Sequence, residues 1–194
     1  FWKARKSTDR NSPSSRRRLE LRSEPFGIPD CAEIEGEGVM GANIEKYLAA
    51  VVQAAPLFLN RKGTVEKACC LIREAGKKGA KLVAFPEAWI PTFPHWPRVL
   101  PVGERDLSRQ AWVKLYQESV EIPGPDTQAL GEAARDAACH VVIGVNERSR
   151  EAGATLYNTL LFLSDRGEVL GRRRKLLPTY EERCCWGSGN ASDL

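Results

Sequence analysis

Lys81-Leu82-Val83-Ala84-Phe85-Pro86-Glu87-Ala88-Trp89 is the stretch on which the reading of this chain turns. It reads as a short apolar strand, 81–85, that ends abruptly on a proline and a carboxylate. A carboxylate beside an apolar core must be paired, hydrogen-bonded or protonated. Two readings stand at this point. Glu87 can cap a following turn or point into water, or it can be one of the perturbed carboxylates that gather at functional sites. The nine residues alone do not choose between them.

Upstream, residues 61–78 carry a helical period. Val65, Ala68, Cys69, Ile72 and Ala75 fall on one face, while Lys62, Glu66, Arg73 and Lys77 lie elsewhere. Asn60 is the expected N-cap, and Lys77-Lys78-Gly79 has the cations and glycine of a helix C-terminus. Residues 46–53 read as a buried strand. Cys69 and Cys70 read as helix packing.

Downstream, residues 88–108 hold four prolines and two tryptophans with no period. Such a loop, directly after the Glu87 strand, is expected to be packed over something. A helix is expected over 109–119, broken by Pro123-Gly124-Pro125. A second, capped by Asp126, runs to about 138 with Leu130, Ala133, Ala134 and Ala137 inward. Strand 140–146 opens on His140, read as an edge or capping residue. Strands 155–163 and 168–174 flank Ser164-Asp165-Arg166-Gly167, a hairpin turn in which glycine supplies a positive φ. Arg172-Arg173-Arg174-Lys175 would normally mark a solvated face, but alternation along a strand should turn one or two of these cations inward. This order of elements makes an α/β layered domain.

The charge is unevenly placed. Residues 1–24 carry eight Lys/Arg against three acids, whereas the remainder has 21 bases and 22 acids. Residues 1–43 therefore read as a disordered basic tail, separate from the domain. Met40, the only methionine, is the expected natural start of the folded part. Nothing in the near-neutral body suggests a nucleic-acid binder, and none is expected as a partner. No apolar run reaches 18 residues, so no membrane span or secretion signal is expected. The six cysteines, two pairs of them adjacent, match neither a disulfide framework nor zinc-ligand spacing. A reducing cytoplasmic compartment is expected.

Glu87 and Lys175 both lie just past strand ends, which gather at one edge of a layered α/β sheet. The motifs around them carry more. Phe85-Pro86-Glu87-Ala88, Leu156-Tyr157-Asn158-Thr159, Arg174-Lys175-Leu176-Leu177-Pro178-Thr179, Glu182-Arg183 and Trp186-Gly187-Ser188-Gly189 resemble, in order and spacing, the nitrilase branch of the carbon–nitrogen hydrolase superfamily. The resemblance runs from about residue 44 to the last residue. It implies an α-β-β-α sandwich, incomplete here, with residues 44–194 as the N-terminal portion of the domain. It also implies a Glu-Lys-Cys triad with Glu87 as general base, Lys175 stabilising the tetrahedral intermediate and Glu182 positioning the lysine. Trp89 and Trp96 would wall the substrate pocket. The reaction implied is hydrolysis of a small-molecule nitrile to acid and ammonia, with no metal or organic cofactor, in a homo-oligomer.

The family's nucleophile lies in a Cys-Trp-Glu stretch further on, so this chain is expected to stop short of it and to be inactive alone. Cys185-Trp186-Gly187 lacks the Glu and aligns with the family's Trp-Gly element, so Cys184 and Cys185 read as decoys. Arg173 stands where His is common, Thr92 where Gly is frequent, and Asn190-Ala191 where Asp-Gly is usual. Three alternatives compete: an amidase or N-carbamoyl hydrolase of the same superfamily, a non-catalytic module pairing through an open edge, and a basic-tail adaptor.

Overall fold

Alternating and 3.6-residue periods resolve into one five-stranded sheet with two helices packed on one face. The computed structural model describes residues 46–101, 103–150 and 153–190. The basic stretch 1–43 and the boundary at residue 44 lie outside the described residues.

The sheet runs in chain order. Strand β1 (Leu48–Val51) pairs in parallel with β2 (Ala80–Ala84), and β2 with β3 (His140–Arg148). Strands β4 (Leu156–Leu163) and β5 (Val169–Arg174) then add antiparallel. Helix α1 (Arg61–Lys77) is the crossover between β1 and β2. Between β2 and β3 come α2 (Trp96–Val99), α3 (Arg105–Gln117) and α4 (Pro125–Ala137).

The core lies between the sheet and the helix pair α1/α4. Val83, Val141, Ile143, Val145 and Leu161 project from alternate strand positions onto Ala68, Ile72, Leu130, Ala133 and Ala134, all of them fully buried. Each large aliphatic side chain removed from water here contributes about 1.5–3 kcal/mol. The opposite sheet face carries no helix among the described residues. Leu82, Val142, Phe162 and Leu170 line an open apolar hollow there. The described residues thus form one helix layer on one sheet layer.

Local signals held in most places. Asn60 caps α1 through a bond from the Gly63 N–H (2.9 Å), and Gly79 follows the helix at φ 87°. Gly167 turns the β4–β5 hairpin at φ 86°. Elsewhere the structure differs. The expected 46–53 strand is only Leu48–Val51, because β1 is an edge strand with Tyr47 and Val51 exposed. The aperiodic stretch 88–108 contains the short helix α2 and the start of α3, which begins at Arg105 rather than 109. Asp126 does not cap α4. Pro125 takes the first helical position, Gly124 becomes the cap by exchanging hydrogen bonds with the Thr127 hydroxyl, and Asp126 pairs with Arg61 (3.3 Å). Cys69 packs inward, whereas Cys70 is exposed. His140 is exposed at the start of the central strand rather than at a sheet edge. No described helix is long and apolar enough to cross a membrane.

Candidate active site

The chain leaves β2 at Ala84, makes one more sheet bond (Phe85 N–H to the Val142 carbonyl, 2.8 Å), and turns away through Pro86-Glu87-Ala88. Ala88 sits at φ 47°, a backbone conformation unusual for a residue with a side chain. At Ile90 the chain rejoins β3, donating to the Gly144 carbonyl (3.1 Å) and accepting from the Asn146 N–H (2.7 Å). The turn between lies directly on Gly144. A Cβ there would stand 2.3 Å from the Pro86 carbonyl oxygen and 2.4 Å from the Ala88 nitrogen. Only glycine lets the turn come this close.

Asn146, buried in the sheet, fastens the loop beyond this turn. Its amide donates to the carbonyls of Ile90 (3.0 Å) and Thr92 (2.9 Å), and its oxygen accepts from the Trp186 indole (2.8 Å). The Glu87 turn and the Trp186-Gly187 segment are therefore tied to one side chain.

Lys175 arrives from β5. Its N–H donates to the Asn158 carbonyl (2.8 Å), extending the β4–β5 ladder by one residue. Its ammonium donates to Glu87 Oε1 (3.0 Å) and lies 3.0 and 2.9 Å from the two Glu182 oxygens. Asn158 Nδ2 also donates to Glu87 Oε1 (2.7 Å). Glu182 is held by the short 3-10 turn Tyr180–Cys184, where its Oε2 accepts from the Thr179 N–H (2.7 Å) and hydroxyl (3.1 Å). This reciprocal cap with Thr179 aims the carboxylate at Lys175.

These contacts set the electrostatics. Burial alone would lower the Lys175 pKa, but the hydrogen bonds to Glu182 and Glu87 outweigh it and hold the ammonium above the ordinary 10.5. Burial likewise pushes Glu182 upward, but the Thr179 N–H and the Lys175 ammonium prevail, leaving its carboxyl below the ordinary 4.5. Lys175 is thus a fixed cation between two carboxylates. Both bonds to Glu87 fall on Oε1, and its side chain is 48% exposed. Glu87, Asn158, Leu160, Arg173, Lys175 and Leu176 line a cleft of about 380 Å³ on the open face of the sheet.

The structure brings Glu87, Lys175 and Glu182 together. It does not place the two tryptophans in that cleft. Trp89 packs on Phe85 (4.9 Å between ring centroids) in the helix-side core, with its indole donating to the Ala54 carbonyl (2.6 Å). Trp96 lies buried in a second cluster with Ala88, Leu115, Leu156, Cys185 and Trp186. Trp89 ties the loop after Glu87 to the helix-side core, and Trp96 packs in the same cluster as Ala88. Cys185 belongs to that same cluster, and burial, followed by the neighbouring Cys184, pushes its thiol up to about 12. A thiol so shielded is a poor nucleophile.

Sequence reasoning passed over Gly144 and Asn146, and noted Asn158 only as part of a motif. One signal was available for Asn146: a polar amide inside the apolar run Val141-Val142-Ile143-Gly144-Val145 needs partners.

A sequence model of the Carbon-nitrogen hydrolase family matches residues 48–194. The chain is 45% identical over 144 residues to Nitrilase 2 from an unknown prokaryotic organism, covering 74% of this chain and 45% of that protein. It is 39% identical over 159 residues to Nitrilase 2 of Arabidopsis thaliana, covering 81% of this chain and 45% of that protein. Among solved structures, Nit3 of Saccharomyces cerevisiae, a member of branch 10 of the nitrilase superfamily, superposes with a TM-score of 0.58 at 18% identity, covering 74% of this chain and 49% of Nit3. The chain spans about half the length of the proteins it matches, and its α/β fold is the one they share.

Proposed function

The chain belongs to the carbon–nitrogen hydrolase family, in its nitrilase branch, and from that premise we propose that the full-length protein hydrolyses a small-molecule nitrile to the carboxylic acid and ammonia. The observation that carries this reading is Lys175 Nζ bridging Glu87 and Glu182 at 2.9–3.0 Å beside a cleft. The nucleophile is a cysteine thiol supplied from outside residues 1–194. Buried Cys185 does not serve, and none of the cleft-lining residues is a cysteine.

Glu87 takes the thiol proton as sulfur adds to the nitrile carbon and passes it to the nitrile nitrogen, which gives a thioimidate and leaves Glu87 again ionised. Water, deprotonated by Glu87, adds to that carbon. The tetrahedral intermediate expels ammonia and leaves an acyl thioester. A second water releases the acid and restores the thiol. Lys175 faces the charge that develops at each addition, as a preorganised cation that needs no reorganisation. Glu182 keeps that cation charged and in place, and Asn158 holds the Glu87 carboxylate from the other side.

The test is ammonia release by the full-length protein from matched aliphatic and aryl nitriles and from the corresponding amides. Turnover of a nitrile supports the reading. Turnover of the amides alone would make the protein an amidase, and turnover of neither would refute hydrolysis.

A further inference from the structure

At one end of the sheet three neighbouring strands carry consecutive polar pairs: Asn146-Glu147 near the end of β3, Asn158-Thr159 near the start of the antiparallel β4, and Arg174-Lys175 at the exit of β5. Side chains alternate across a strand, so each pair sends one member to each face. Asn146, Asn158 and Lys175 go to the open face, where Asn158 and Lys175 line the cleft and Asn146 fastens the loop that follows Glu87. Glu147, Thr159 and Arg174 go to the helix face and meet in a second cluster that the proposed chemistry does not use.

Glu147 is the centre of that second cluster and is 1% exposed. Its carboxylate accepts from Arg174 through both Nε (3.0 Å) and Nη2, from Arg172 Nη1 (2.8 Å) and from the Thr159 hydroxyl (2.7 Å). Arg172 also donates to the Ile122 carbonyl (3.0 Å), and the Arg174 guanidinium lies 4.0 Å over the Tyr157 ring. Apolar side chains of similar volume often stabilise a core as well as a buried ion cluster does. What a forked guanidinium–carboxylate pair adds is fixed geometry. Here it joins β3, β4 and β5 beneath the sheet, at the level where β4 and β5 hold the cleft above it.

We infer that Glu147 is a positioning residue of the site, clamping Arg174 and Thr159 so that their chain neighbours Lys175 and Asn158 both reach Glu87. It touches no reacting atom. Its effect on rate rests on the hydrolase reading, but its effect on Lys175 does not.

The test uses the full-length protein with Glu147→Gln, and with Glu147→Asp, which keeps the charge on a shorter arm should the first variant fail to fold. Glu121→Gln is the control, because it breaks a separate ion cluster with Arg148 (2.6 Å) and Arg150 (2.8 Å) away from the cleft. Two quantities are read: kcat and KM for ammonia release, and the NMR titration of the Lys175 side chain. Both Glu147 variants should lower kcat, on the order of 10²-fold for a displacement near 1 Å, with KM changed less than about threefold. They should also move the Lys175 titration down toward that of an ordinary lysine, while Glu121→Gln leaves both readouts as in wild type. Folded Glu147 variants with an unmoved Lys175 titration would overturn the inference, as would a kcat equal to that of the control. If the wild-type protein hydrolyses neither nitriles nor amides, the hydrolase reading fails, and the Lys175 titration still decides the role of Glu147.

Discussion

Gly144→Ala tests whether the position of Glu87 is set by backbone contact. The new Cβ would stand 2.3 Å from the Pro86 carbonyl oxygen, 2.4 Å from the Ala88 nitrogen and 2.7 Å from the Glu87 carbonyl carbon, where ordinary contact begins near 3.4 Å. Something must move by about 1 Å. Strand β3 is paired on both sides, to β2 and to β4, so it is the stiffer partner. The 86–88 turn yields and carries Glu87 with it. A shift of about 1 Å would take the 2.7 Å bond from Asn158 beyond hydrogen-bond reach and loosen the 3.0 Å contact with Lys175. Overpacking of this kind costs about 1–3 kcal/mol of stability, and misplacing a catalytic group by about 1 Å costs on the order of 10²-fold in rate. The assay is ammonia release by the full-length variant, beside its denaturant midpoint. A kcat within about threefold of wild type with an unchanged midpoint would refute the argument.

Asn146→Ala should cost about 3 kcal/mol in denaturant unfolding, since it removes donors to Ile90 and Thr92 and strands the buried Trp186 indole N–H; a loss below about 1 kcal/mol would show that the loop is held elsewhere. The Lys175–Glu182 pair should persist across a wide pH range. The raised lysine contributes fully below 10.5 and loses its contribution only as pH climbs through its raised pKa, while the lowered Glu182 contributes fully above 4.5 and loses its contribution as pH falls through its lowered one. Side-chain NMR titration should therefore find both groups ionised from pH 4.5 to 10.5, and a Lys175 midpoint under 10.5 would contradict the geometry. Iodoacetamide at neutral pH should label exposed Cys70 and Cys184 and spare Cys185, whose thiol is buried and pushed up to about 12; prompt labelling of Cys185, read by peptide mapping, would contradict its burial.

Much of this architecture was legible before the structure because short-range chemistry sets it. Asn60 and Gly79 bound α1, Gly167 turns the last hairpin, and alternation turned Arg172 and Arg174 inward from a run of four cations. The motif residues Glu87, Lys175 and Glu182 converge although 88 positions separate the first two. What local pattern could not supply was long-range partnership. Trp89 and Trp96 looked like pocket walls because they lie in an aromatic loop after Glu87, yet their rings face Ala54 and Leu115, which only the packed chain brings near. Asp126 satisfied the local rule for a cap but had a stronger partner in Arg61, across the helix pair. Ending β3 at residue 146 hid Glu147, the next inward position after Val141, Ile143 and Val145.

The central claim is that Glu87, Lys175 and Glu182 are the acid–base half of a carbon–nitrogen hydrolase site. It is tested most directly by the rate of ammonia release from a nitrile by the full-length protein carrying Lys175→Ala. Loss of a charge-stabilising group in a preorganised site predicts a fall of roughly 10²–10³-fold or more in kcat, with the protein still folded. A folded Lys175→Ala variant that hydrolyses nitrile within about threefold of the wild-type rate would contradict the account.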